Sequence, residues 1–123
     1  MAAPQISSDP LYRLLRDDKV TEFNQKISEG QIANLRGCDF RHVNLVGLIA
    51  DNLDFTDCYF RQADIRGVDF SRCKSLAGAS IHSAKISGTY FPAQIRAEEI
   101  LLSLEHGTRI RYTKIRSAPP KKG

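Results

Sequence analysis

A chain of 123 residues, 41% hydrophobic and 26% charged, has the composition of one folded domain with a modest core, which excludes wholesale disorder and leaves no room for a second full domain. No apolar run approaches the roughly 18 residues of a membrane span, and "MAAPQISSDP" lacks the basic-then-apolar pattern of a secretory leader, so a cytoplasmic protein with no membrane contact is expected. The net charge of +4 is uneven: basic against acidic residues number 4 to 5 over residues 1–30, 7 to 6 over 31–91 and 7 to 3 over 92–123, so the excess belongs to the C-terminal end.

Residues 9–30 read as a helical N-terminal cap. Ser8 or Asp9 can accept from the first free amides, Pro10 suits the first helical position, and Leu11, Leu14 and Leu15 share a face. A break is expected at Asp17 and Asp18, with Asp18 capping a second helix whose stripe is Val20, Phe23 and Ile27 and whose stop is Gly30.

From Ala33 the period becomes five. Leu35, Phe40, Leu45, Phe55, Phe60, Ile65 and Phe70, then after one extra residue Leu76, Ile81, Ile86 and Phe91, form a column of large apolar side chains interrupted by Ala50. Two residues before each lies a smaller column that includes Ala33, Cys38, Val43, Leu48, Leu53, Cys58, Ala63, Val68 and Ala79. Residues two apart in extended chain point the same way, so both columns face inward. The other three residues of each five must turn a corner, and the Asn, Asp and Gly found there accept tight-turn dihedrals. "ANLRGCDF" and "ADIRGVDF", thirty residues apart, share five of eight residues, which makes the segment an internal repeat. The extra residue near Lys74 and Ser75 is expected to bulge outward, because an ammonium inside such a core is costly, and Cys73 then keeps the inward small position.

After "TYFP" the period stops. Residues 92–107 contain a C-terminal helix, "AEEILLSLEHG", with Glu98 and Glu99 in its first turn and Gly107 as its stop. Residues 108–123 form a basic tail that alternates basic and apolar residues as far as Ile115.

The repeat "ANLRG", with the near matches "CDFRH", "VNLVG", "LDFTD", "ADIRG" and "VDFSR", resembles the pentapeptide-repeat proteins over residues 33–91, and the flanks are similar to those of small bacterial members with helical caps. The resemblance implies a mainly β fold: a right-handed quadrilateral β-helix of about three coils, four pentapeptides to a coil, capped by α-helices at both ends. Residues twenty apart would stack, Cys38 on Cys58, Phe40 on Phe60 and Arg41 on Arg61.

Little in the chain suggests catalysis. Cys38 and Cys58 sit in the inward column, where a reactive thiolate is disfavoured, and three cysteines without a CxxC pair fit neither a disulfide framework nor a zinc site. His42, His82 and His106 have no ligand spacing, and no phosphate-binding glycine loop is present, so neither enzyme activity, a metal nor a cofactor is expected. What remains is surface. Arg41, Arg61 and His82, stacked in the family register, would make a basic strip, and the expected role is a non-catalytic protein-binding module on the short β-helix, with its partner unidentified. A homodimer through the C-terminal region would use Ile100, Leu101, Leu104, Ile110 and Tyr112. Two alternatives are nucleic-acid binding by the tail through Arg109, Arg111, Tyr112, Lys114, Arg116, Lys121 and Lys122, and the family's mimicry of DNA towards a type II topoisomerase, which the near-neutral repeat disfavours.

Overall fold

The computed structural model describes residues 6–113. Its regular elements are three helices, α1 (Pro10–Arg16), α2 (Val20–Ser28) and α3 (Ala97–His106). Asp9 caps α1 by accepting from the Leu11 amide at 2.8 Å, and Pro10 occupies the first turn, as the sequence predicts. The second cap differs. Asp18 adopts a left-handed backbone with φ of 62°, so its tolerance of that conformation serves the turn itself, and Lys19 precedes α2 with no side-chain cap. Gly30 and Gly107, with φ of 99° and 73°, terminate α2 and α3.

Between Ala33 and Phe91 the chain turns every five residues. Left-handed backbone recurs at residues 37, 42, 47, 52, 57, 62 and 67, then at 78, 83 and 88 once the extra residue has passed. Lys74 is exposed and its amide donates to the Leu53 carbonyl, while Cys73 stays half-buried against the core. Five of these corners carry side chains, His42, Asn52, Asp57, Gln62 and Ser83, and each costs about 1 kcal/mol relative to glycine in the same conformation. Gln62, exposed and with φ of 56°, is the bulkiest unbranched case. Gln62→Gly is therefore expected to raise the melting temperature by a few degrees, about 0.5 kcal/mol after the added freedom of the unfolded chain; a lower melting temperature would show that the side chain contributes more than the strain costs.

Successive turns stack in parallel. Single-residue bridges join Asp39 to Tyr59, Asn44 to Asp64 and Ile49 to Asp69, twenty apart, then Asp54 to Ser75, Tyr59 to Ser80, Asp64 to Lys85 and Asp69 to Tyr90, twenty-one apart. The expected stacking register is present, with the slip at the extra residue. The expected mainly β fold is not. Among the described residues there is no β-strand and no sheet, and the regular secondary structure is all helical, so the strand-built right-handed quadrilateral β-helix is corrected to a stack of turns joined by isolated bridges. The physical reason lies in the period: only the residue between the two inward side chains pairs before the next corner, so no ladder lengthens into a strand.

The core runs down the middle of this stack. Phe40 lies on Phe60 with ring centroids 5.3 Å apart and planes within 9°, and Phe55 meets Phe40, Phe60 and Phe70 edge-on. The predicted column from Leu35 to Ile81 is buried, as is Ala50, whereas Ile86 and Phe91, near the C-terminal end of the stack, are only partly so.

Both ends of the stack are closed by side chains that replace a missing turn. At the N-terminal end Tyr12 Oη donates to the Asp39 carbonyl at 2.6 Å, and the Asn24 amide donates to the Gly47 carbonyl at 2.9 Å while accepting from the Ile49 amide at 3.0 Å. At the other end Ser103 Oγ accepts from the Ile81 amide and Tyr112 Oη from the Leu76 amide. Ile110 exchanges two backbone bonds of 2.8 Å, accepting from Gly78 and donating to Ala79. No helix among the described residues is long and apolar enough to cross a membrane.

Candidate functional site: an arginine cleft under the first helix

The end of α1 lies over the corner at Asp39 to His42, and the corner at Arg61 lies one turn below, with the His42 amide donating to the Arg61 carbonyl at 3.0 Å. Arg16, Asp39, Arg41, His42 and Arg61 line an open cleft of about 390 Å³. Three guanidiniums thus meet one carboxylate. Arg16 is fixed by its own Nη1, which donates to the carbonyls of Asp39 at 3.1 Å and Arg41 at 3.3 Å. Arg41 closes on Asp39 as a fork, Nε on both oxygens at 2.9 and 3.0 Å and Nη2 on Oδ2 at 2.6 Å. Burial of Asp39, which is 4% exposed, pushes its carboxyl up, but the Arg41 fork and the Arg41 amide outweigh that and hold it below the ordinary carboxylate range. Asp39 therefore stays ionised and spoken for. Arg61 is exposed and makes no ion pair among the described residues.

Arg41 and Arg61 come together as the register predicts. His82 follows in the same stack, since the Gln62 amide donates to its carbonyl, but it is half-buried where the chain passes Gly107, and its Nδ1 is buried with no hydrogen-bond partner among the described residues. The basic strip therefore ends at Arg61, and its third member is Arg16, which no repeat periodicity could locate. The amphipathic stripe of α1 and the loop at Asp17 and Asp18 orient Arg16, and that docking is a tertiary fact.

A larger cleft of about 470 Å³ lies between residues 31–36 and 51–54. Its charges balance: Arg36 and Lys74 face Asp51 and Asp54, and Arg36 pairs with Asp54 at 3.7 Å. It has no sign to select a charged ligand.

Cys38 and Cys58 are buried in the small column, and Cys58 Sγ donates to the Leu35 carbonyl at 2.8 Å. Desolvation pushes the Cys38 and Cys73 thiols up to about 11 and Cys58 further still. Among the described residues no cluster of His, Cys, Asp and Glu could hold a metal ion.

The C-terminal candidates are spent inside the chain. Ile110 is 1% exposed, Tyr112 is hydrogen-bonded at Leu76, and Ile100 and Leu104 pack partly buried against the core, which leaves Leu101 and its neighbour Leu102 exposed. Of the basic tail, Arg109 donates to the Gly78 carbonyl and the Tyr59 hydroxyl and lies over the Tyr59 ring, and Arg111 forks onto Glu99. Lys114, Arg116, Lys121 and Lys122 lie outside the described residues.

A family profile described as pentapeptide repeats matches the chain in eight copies, over residues 33–72 and 54–91, a span just under half its length. Comparisons with curated proteins and with solved structures found no match. The match is one of sequence pattern, and the recognition of a β-helical pentapeptide-repeat protein is corrected by the absence of strand and sheet among the described residues. The roles that rested on that scaffold fall with it. A protein-binding module built on a β-helix has no such scaffold here. DNA mimicry towards a topoisomerase lacks its acidic face, because Asp39, Asp51, Asp54 and Asp64 are paired with Arg41, Arg72, Arg36 and Arg66. Nucleic-acid binding by the tail loses Arg109, Arg111 and Tyr112 to internal contacts.

Proposed function

We propose that the chain is a non-catalytic binding protein that recognises an anionic group at the cleft of Arg16, Arg41, His42 and Arg61, and that it works in the cytoplasm. The observation that carries this is the charge imbalance of the cleft, in which the single carboxylate, Asp39, is already held by Arg41 while Arg61 has no ion pair among the described residues. An unpaired guanidinium beside a neutralised pair is a ready partner for a carboxylate or phosphate. The non-catalytic assignment is supported by the cysteines, whose thiolates are disfavoured by burial. Their use as thiols packed in the core also suits a reducing compartment.

Side-chain NMR of the arginine Nε–H groups tests the binding. Titration with citrate, sulfate, phosphate and acetate should move the Arg61 and Arg16 signals saturably with at least one anion, and Arg61→Ser should abolish the effect. Linear, unsaturated shifts with all four would remove the cleft as a binding site.

A further inference from the structure

The cleft's charge and geometry narrow the ligand class, and the narrowing rests on the anion-binding role just proposed. We infer that the cleft seats a terminal phosphate, free or as a monoester, in preference to a carboxylate.

Charge is the first reason. The Arg41–Asp39 pair is neutral as a unit, which leaves two further positive charges on the cleft, the guanidiniums of Arg16 and Arg61, neither of them ion-paired among the described residues. A phosphate monoester carries about −1.5 to −2 at neutral pH and balances both, whereas a carboxylate leaves one of them unmatched. Direction is the second. Arg16 comes from a helix above the stack, while Arg41 and Arg61 come from corners on successive turns, so three separate segments bring donors to the cleft. A planar carboxylate suits one fork, and a tetrahedral group offers oxygens to several. Pre-organisation is the third. Arg16 is held by two carbonyls through Nη1, and Arg41 by Asp39 through Nε and Nη2, so each keeps N–H donors with no partner among the described residues on a guanidinium that is already fixed in place. Ordering these long side chains on binding therefore costs less than it would on an open surface.

Isothermal titration calorimetry of the whole chain with inorganic phosphate, O-phosphoserine and acetate decides the matter. Phosphate or phosphoserine should bind at least about tenfold more tightly than acetate. Binding of both phosphates identifies a monoester site, and binding of inorganic phosphate alone identifies a site for the free ion. Arg61→Ser should weaken the preferred ligand at least about tenfold, the loss of one charge-assisted contact. Arg61 is exposed and its side chain makes no ion pair or hydrogen bond with the described residues, so this variant should keep the parent's melting temperature. Acetate binding as tightly as phosphate would overturn the phosphate assignment and leave anion binding standing; no saturable binding by any of the three would take both down.

Discussion

Phe60→Ala should lower the free energy of unfolding by about 3–5 kcal/mol, a large part of what a domain of this size has. Phe60 is fully buried and touches three other rings: it stacks on Phe40 at 5.3 Å and meets Phe55 and Phe70 edge-on at 5.6 and 6.0 Å. The cost of such a truncation depends on how far the site can collapse. Here collapse is resisted, because Tyr59, the preceding residue, is bridged to the turn above at Asp39 and to the turn below at Ser80. The Phe60 amide itself donates to the Ser80 carbonyl at 2.7 Å. The backbone around the cavity is therefore tied on both sides, and the void should persist. Urea denaturation of Phe60→Ala beside Phe91→Ala checks this, since Phe91 is only partly buried and should cost distinctly less. Equal losses, or a Phe60 loss below about 1.5 kcal/mol, would mean that the stack relaxes into the space.

The same core shows how far a five-residue period can be read. Inward positions followed from it because burial is a local consequence of the turn every five residues, and the column from Leu35 to Ile81 is buried accordingly. The stacking of Phe40 on Phe60 followed from the family register, and the slip to twenty-one appears where the extra residue was counted. Secondary structure did not follow. A period that puts one residue of each five in a bridge gives no strand, and the resemblance that implied a strand-built β-helix passed over that point. The cleft was half legible. Arg41 and Arg61 are related by the repeat, whereas Arg16 is brought in by helix docking and His82 is covered by the chain at Gly107, and both are contacts between segments far apart in sequence. Asn24 is a further case: its side-chain amide pairs with Gly47 and Ile49 as a peptide group of a preceding turn would, and nothing in "VTEFNQKIS" distinguishes it from a solvated helix residue.

Ile110→Ala should cost about 2–4 kcal/mol, whereas Leu101→Ala should change stability by no more than about 0.5 kcal/mol. The two residues were expected to share a self-association surface, and their environments separate them. Leu101 is 51% exposed on α3, while Ile110 is 1% exposed and belongs to the stack. Its amide and carbonyl complete the turn edge at Gly78 and Ala79, so the segment after Gly107 takes the place of a further turn of the repeat. Arg109 reinforces that placement through Gly78, Tyr59 and a 3.5 Å contact with Asp57, and Arg111 does so through Glu99. Of these the Ile110 side chain carries most of the apolar burial, and the ion pairs, with Arg111 and Asp57 more than half exposed, contribute little. Loss of Ile110 should therefore loosen the whole C-terminal closure together: Gly78, Ile81 and Ser83, whose amides donate to residues 103–110, should lose hydrogen-exchange protection as one unit, while Leu45 and Asp64, whose amides are bonded within the stack, keep theirs. Denaturation at two protein concentrations separates this from an interface role. A midpoint for the parent chain that rises with concentration and ceases to do so in Ile110→Ala would place Ile110 between copies; a concentration-independent midpoint that simply falls places it inside the chain.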